Sequence, residues 1–301
     1  MEKKYINVTS SDSLNTLNVK FYIQNGEPIG IFQAVHGMTE HLARYDALLS
    51  AVCEKGYFCI IHDHLGHGKT AKEGDLGFIA KKDGWQRLID DVEKVYRVAD
   101  GMYPNKKHVL IGHSMGSFIT RLYVEQYGEH LDSYIMMGSG AGNPAAGIGL
   151  MLTRLIAKIK GDRHVSPFIY KMAFGAYNKK FNDPSPYAWL SKDKENIEIY
   201  SKDKYCTFFF TVSAMNDLIR LNKECNRKEW FSSLPKGLKI FIISGSDDPV
   251  GDHSKGIEKV YNQLLNEDKY SVKLKLYKGA RHEILKDFCK EEVISDVLDF
   301  I

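Results

Sequence analysis

Gly112-His113-Ser114-Met115-Gly116 is a G-x-S-x-G pentapeptide. An apolar run, Val109-Leu110-Ile111, precedes it and a helical pattern follows. In that strand-to-helix context a sharp turn lifts the serine Oγ above a sheet edge. The flanking glycines leave room at such a turn, and the start of the following helix aims free N–H groups at the serine. A hydroxyl is a poor nucleophile until a base takes its proton. With this motif the chain order is serine, acid, histidine, and only His253 and His282 lie beyond position 248. His282 follows the last strand-like run, in Lys278-Gly279-Ala280-Arg281-His282-Glu283, whereas His253 reads as a surface residue at the start of a helix. The acid must also follow a strand. Ile240 to Ile243 leads into Ser244-Gly245-Ser246-Asp247-Asp248-Pro249-Val250. Asp248, fixed by Pro249, is assigned the role of holding the imidazole tautomer and stabilising the imidazolium; Asp247 is left to the turn or the surface.

Acyl transfer further requires donors aimed at the oxygen that becomes negative, and losing one raises the barrier by about 3–4 kcal/mol. The backbone N–H of Met115, next after the serine, is one candidate. The second comes from Phe32-Gln33-Ala34-Val35-His36-Gly37-Met38, where Gly37 permits a tight turn and the Met38 N–H can face the serine. His62, His64 and His67 cluster in another loop, but they interleave with Asp63, Gly66 and Gly68. That reads as loop hydrogen bonding rather than the converging, supported ligand set a zinc ion needs. No metal and no cofactor is expected.

These residues need a scaffold that presents them on one edge. Residues 17–23 alternate with period two, as a half-buried antiparallel strand does. Ile29 to Val35, Phe58 to Ile61, Val109 to Ile111, Tyr134 to Met137 and Ile240 to Ile243 are nearly all apolar, which fits strands covered on both faces of a parallel sheet. Val272 to Tyr277 alternates with lysines and suits an edge. Helical patterns fill the gaps: Leu42 to Lys55, Trp85 to Met102, Ser114 to Tyr127, Ile257 to Leu265 and Lys290 to Ile301. Strand and helix alternate, so the fold class is α/β, a doubly wound sheet. Between about 141 and 236 no strand is evident. A structureless loop of that length is improbable, so this stretch is expected to be a helical insertion between two strands.

The bulk properties agree. The 301 residues suit one α/β domain with an inserted piece, and 44% hydrophobic with 26% charged residues is an ordinary globular mixture. A net charge of +3 with scattered lysines argues against nucleic-acid binding. Five widely spaced cysteines without C-x-x-C read as reduced thiols of a cytoplasmic protein. Met1 to Tyr5 is followed by no apolar h-region, so no signal peptide is expected.

The chain resembles the bacterial lysophospholipase and monoacylglycerol-lipase family of the α/β-hydrolases, a serine aminopeptidase-like group. Four motifs carry the resemblance: His36-Gly37-Met38-Thr39-Glu40-His41 with Arg44-Tyr45; His62-Asp63-His64-Leu65-Gly66-His67-Gly68; Gly112 to Gly116; and Gly245-Ser246-Asp247-Asp248 leading to His282. Trp189-Leu190-Ser191, Tyr200, Asp203, Cys206 and Phe208 to Thr211 resemble that family's cap. The resemblance implies an α/β-hydrolase core of about eight mostly parallel strands, in residues 1–140 and 237–301, with helices on both faces and a helical cap in 141–236. It implies Ser114, Asp248 and His282 as the triad, Met38 and Met115 as oxyanion donors, and hydrolysis of a monoacyl lipid ester through an acyl-enzyme. A short-chain carboxylesterase or aminopeptidase is the nearest rival, and a silent binding scaffold the more distant one. One departure stands out: Met38 occupies a position where the family often has a small residue, which narrows the expected acyl pocket.

Gly37, His113, Trp189 and Phe209 complete the expected substrate-binding set, although the cap aromatics equally suit packing within the cap. Ile148, Leu152, Leu155, Ile156 and Ile159 recur at helical spacing among Arg154, Lys158 and Lys160. That stretch reads either as a plain lid or as a face making transient contact with a membrane surface. The expected partner is a small-molecule acyl ester; the sequence leaves the oligomeric state open.

Overall fold

The computed structural model describes residues 1–301. Eight strands form one sheet: β1 (Glu2–Thr9), β2 (Thr16–Ile23), β3 (Gly30–Val35), β4 (Tyr57–His62), β5 (Lys107–His113), β6 (Ser133–Met137), β7 (Lys239–Gly245) and β8 (Ser271–Tyr277). Their order is β1-β2-β4-β3-β5-β6-β7-β8. β1 and β2 run antiparallel, and every pair from β4 to β8 is parallel. The apolar runs of β3, β4, β5, β6 and β7 are buried almost throughout, as a sheet covered on both faces requires. β8, with its alternating lysines, lies at one edge.

β1 is the strand that the pattern analysis did not single out. Its residues are mostly exposed. Only Ile6 and Val8 on it are partly buried against the core, so its period-two signal is short, and its lysines suit an unpaired edge.

Helices cover both faces. α1 (Asp46–Glu54) and α10 (Lys290–Phe300) pack over a core of 24 buried residues. α2 (Gly84–Met102), α3 (Met115–Tyr127) and α9 (Lys255–Leu265) pack over a larger core of 41 on the opposite face. Between β6 and β7 lie α4 (Ala146–Lys160), α5 (Pro167–Phe174), α6 (Lys194–Lys202), α7 (Val212–Glu224) and α8 (Lys228–Ser233), with no strand. This stretch is not uniform. Met215, Leu221, Cys225, Trp230 and Phe231 join the larger core, so α7 and α8 are packed as firmly as the scaffold helices.

Arg121 on α3 fastens both ends of the stretch. It is fully buried, and its guanidinium donates to the Gly140 carbonyl at 3.2 Å, to the Cys225 carbonyl, and to Asn226 Oδ1 at 3.1 Å. It also stacks 4.1 Å over the Trp230 ring. With no carboxylate beside it, burial dominates and pulls its pKa down. All five cysteines are free and buried. No helix is long and apolar enough to cross a membrane. The strand order, the parallel pairing and the two helical layers are those of the α/β-hydrolase fold.

Candidate active site

Ser114 sits between β5 and α3 with φ 53° and ψ −120°. A left-handed φ is uncommon for a side chain larger than glycine and typically costs about 1–3 kcal/mol. Here it makes the turn sharp enough to leave the hydroxyl outside the helix. Ser117 Oγ bonds back to the Ser114 carbonyl at 2.6 Å, helping to hold the turn.

Met38 and Met115 line the same cavity as Ser114. Neither the Met115 N–H, at the first position of α3, nor the Met38 N–H, in the turn after β3, donates a hydrogen bond within the protein. The Met38 turn is set by Gly37. A Cβ at Gly37 would lie 2.7 Å from Glu40 Oε1 and 3.0 Å from Ser114 Cβ. Only hydrogen fits where this backbone passes the serine.

Asp248 and His282 come from the loops after β7 and β8. His282 Nδ1 lies 2.9 Å from Asp248 Oδ2, and both residues are buried. The Val250 N–H at 2.8 Å and the Ser244 hydroxyl at 3.3 Å also donate to the Asp248 carboxylate. An acceptor so placed calls for the proton on Nδ1, which leaves the Nε2 lone pair free as a base. Ser114 and His282 line the same cavity. The Ser114 hydroxyl forms no hydrogen bond within the protein; catalytic contacts of this kind commonly tighten only when substrate is present.

The inserted stretch braces the base loop. The Trp189 carbonyl accepts from the His282 N–H at 3.4 Å, and the Leu190 carbonyl from the Glu283 N–H at 2.7 Å. Ser191 Oγ donates to the Lys286 carbonyl at 2.8 Å. The Trp189 ring lies 5.1 Å from the His282 ring. Asp247 is half-exposed and faces Lys192 at 3.5 Å. His253, half-buried just before α9, stands outside the cluster.

Beneath the serine lies a charged network of Glu40, Arg44 and Glu283, which stood in the sequence motifs without an assigned role, and His113, which was expected to bind substrate. Glu40 Oε1 accepts from the Gly37 N–H at 2.5 Å, from Tyr45 OH at 2.9 Å and from His113 Nδ1 at 2.9 Å. Arg44 pairs with Glu283 at 2.7 Å and approaches Glu40 at 3.6 Å. Asn196 Nδ2 donates to Glu283 at 2.9 Å. Asp193 caps α6, accepting from the Glu195 and Asn196 N–H groups, and so fixes where Asn196 enters. Burial opposes charge on Glu40, but His113 and then Arg44 outweigh it and hold its pKa at about 2. Burial likewise opposes charge on His113, and Glu40 outweighs it, leaving that imidazole above its ordinary value. The spacing of Glu40, Arg44 and Glu283 around Gly37 and His282 was the available signal; their mutual contact was not.

The cavity itself measures about 720 Å³, and 23 of its 35 lining residues are hydrophobic. Met38 and Trp189 line it, as does Phe209, which remains 58% exposed. His113 borders it, but both its ring nitrogens are spent, on Glu40 and on the His282 carbonyl. Gly37 backs Ser114 and does not line the cavity. No lysine or arginine lines the cavity, whereas Glu40 and Glu283 do.

The histidine cluster lies to one side. His36, His62, His64 and His67 are wholly buried, with the His36 and His64 rings 4.1 Å apart. The His64 N–H donates to His36 Nε2, and Asp63 accepts from the Leu42 and Lys69 N–H groups. Burial lowers the pKa of His62 to about 3 and of His67 to about 4. Elsewhere, His41, Asp203 and Cys206 bring their ligand atoms within 4.8 Å of one another. His41 and Asp203 are bonded at 2.9 Å, and burial pushes the Cys206 thiol upward and so keeps it protonated.

Known proteins can be set beside this geometry. The chain is 25% identical to monoglyceride lipase of Rattus norvegicus over 288 residues, covering 93% of this chain and 83% of the relative. It is 23% identical to monoacylglycerol lipase of Mycolicibacterium smegmatis over 280 residues, covering 91% and 89%. It superposes on a thermostable carboxyl esterase from Bacillus coagulans, solved with glycerol, with a TM-score of 0.94, 26% identity, and coverage of 100% and 98%. Residues 26–288 match the hydrolase family described as serine aminopeptidase, S33. With its sheet, its turn at Ser114 and this match spanning most of its length, the chain belongs to the serine aminopeptidase S33 family of α/β-hydrolases.

Proposed function

We propose that this protein is a serine hydrolase that cleaves the carboxylic ester of a neutral monoacyl lipid, a monoacylglycerol in preference to a lysophospholipid. Ser114 Oγ attacks the acyl carbon while His282 takes its proton. The Met38 and Met115 N–H groups stabilise the oxyanion, and Asp248 steadies the imidazolium. His282 then protonates the leaving alcohol, and water repeats the cycle on the acyl-enzyme.

The observation that carries this reading is the cavity. Its volume of about 720 Å³ lies in the range of about 300–1,000 Å³ usual for organic ligands. It is mostly apolar, and it opens on Ser114 and His282. No lysine or arginine lines it, while Glu40 and Glu283 do. A phosphate headgroup brought inside would stay unpaired, at a cost of several kcal/mol. A glycerol headgroup would meet Thr39, Asn143, Thr207 and Asn222 as hydrogen-bonding partners. The relatives named above, lipases of monoacylglycerols, support the same reading.

Residues 141–236 act in this reading as a cap that closes over the acyl chain. Its outer helices supply a docking face for a lipid surface: Ile148, Met151, Leu155, Ile159, Phe168 and Met172 are exposed on α4 and α5. Between residues 143 and 181 seven lysines and arginines stand against a single acid, Asp162. Apolar side chains ringed by cations match an anionic bilayer.

A substrate panel tests the proposal. kcat/KM for a long-chain monoacylglycerol is expected to exceed that for lysophosphatidylglycerol, a net anion, at least about tenfold, as one unpaired charge implies. p-Nitrophenyl esters should peak at long chains. A peak at acetate would favour a short-chain esterase, and cleavage of a proline amide would favour a peptidase. A fluorophosphonate probe should label the wild type and not Ser114→Ala; failure to label the folded wild type would mark a silent scaffold.

A further inference from the structure

His113 differs from the other buried histidines in what its ring touches. Nδ1 faces the Glu40 carboxylate at 2.9 Å and Nε2 faces the backbone carbonyl of His282 at 3.3 Å. The carbonyl can only accept. Glu40 Oε1 already receives the Gly37 N–H and the Tyr45 O–H, and with Arg44 beside it the group is a carboxylate, also acceptor-only. A neutral imidazole owns one N–H and would leave one contact without a hydrogen. Two acceptors on two ring nitrogens therefore require the doubly protonated ring.

Charge balance leads to the same state. The groups around His113 are Glu40 and Arg44 on the loop after β3, Glu283 beside His282, and the Asp248–His282 pair beyond. Glu40, Arg44 and Glu283 are buried. With His113 charged, these four carry two positive and two negative charges; with it neutral, an uncompensated negative charge stays buried. Lys286 stands half-exposed at the rim and forms no ion pair with either acid.

The placement gives this cation a consequence for the reaction. The His113 and His282 rings lie 4.8 Å apart, tilted by 37°. They meet over Gly138, at φ +57°, where a Cβ would come within 3.0 Å of the His113 ring and 3.3 Å of the His282 ring. Through Glu40 the same imidazole reaches the Gly37 turn that carries the Met38 N–H.

We propose that His113 is a positioning residue: a permanently protonated imidazolium that ties the oxyanion turn to the base loop and holds its ring against that of His282. The inference rests on the roles given above to Ser114 and His282, but its charge state is testable without them.

Long-range 1H–15N correlation on protein labelled at histidine nitrogen reads that state directly, with His113→Gln and His113→Asn to assign the signals. Both His113 nitrogens should stay at protonated shifts from pH 6 to pH 9, while the signals of His36, His62, His64 and His67 stay neutral. One unprotonated His113 nitrogen at pH 8 overturns the proposal. If neither variant folds, through-bond assignment of the wild type decides the same question. In the folded variants kcat should fall about tenfold or more with KM nearly constant, as misplacement of the two loops implies. An unchanged kcat overturns the positioning role. Wild-type protein that hydrolyses no ester sinks the functional reading instead and leaves the resonance result to stand alone.

Discussion

Around Ser114, residues turn inward. His36, His62, His64 and His67 are buried to 0% exposure, and Glu40, Arg44, His113 and Glu283 are buried against one another. On α4, by contrast, Ile148, Met151, Leu155 and Ile159 are 57%, 60%, 51% and 71% exposed, among lysines with no buried partner. The first region spends stability on a fixed geometry, since buried polar groups that are paired specify one arrangement. The second leaves apolar surface unpaired, which a soluble fold rarely does unless something else covers it. The contrast separates a region of paired, buried groups from a region whose apolar side chains face outward.

The sharpest way to break this comparison is to disturb the fixed region at its tightest point. Gly37→Ala must displace Glu40 or Ser114, given the 2.7 Å and 3.0 Å approaches. Misaligning the Met38 donor should lower kcat about 10²-fold or more, equivalent to about 3 kcal/mol, while vesicle binding through α4 stays intact. Steady-state kinetics beside a sedimentation assay measures both, and an unchanged kcat would remove Met38 from the site.

A second test concerns acid. The folded-state pKa values of His62 and His67, about 3 and about 4, lie below the ordinary imidazole value of 6.5 because burial penalises the charged form. Below that value the unfolded chain binds protons that the folded chain excludes. Their contribution is thus complete above about pH 6.5 and falls by roughly 1.4 kcal/mol per unit and per histidine as the pH drops toward 3–4. At pH 5 each would have lost about 2 kcal/mol. Glu40, lowered to about 2, adds its own loss only below its ordinary 4.5. Urea midpoints should drop steeply between pH 7 and 5; a flat profile over that interval would mean these rings are not held neutral.

The mildest effect belongs to the outer helices. Ile159→Glu removes one exposed apolar contact and adds an acid among Lys158 and Lys160. Sedimentation with phosphatidylglycerol vesicles should fall about tenfold, with hydrolysis of a soluble ester unchanged. Equal binding by wild type and variant would make α4 a plain lid.

Much of this was legible in the residues themselves. The apolar runs marked β3 to β7 because a strand covered on both faces has no polar positions; Ser114 and Asp248 each follow such a run, and His282 follows the alternating run of β8. β1 was not legible, since only Ile6 and Val8 on it are partly buried against the core and its other positions are exposed. Nor was the division of the inserted stretch: α4 and α7 are both amphipathic, and spacing cannot tell a stripe that meets the core from one left to solvent. The network of Glu40, Arg44, His113 and Glu283 was invisible for a related reason, its members lying up to 243 positions apart.

By itself, then, the chain determines local matters: turn chemistry at Gly37 and Ser114, strand and helix periods, and the order serine, acid, histidine. The tertiary structure alone decides which charges meet, which ring nitrogens find acceptors, and which helical face is left bare. The reason is that charge state and exposure depend on neighbours in space and on the water they displace, and neither is encoded at any single position.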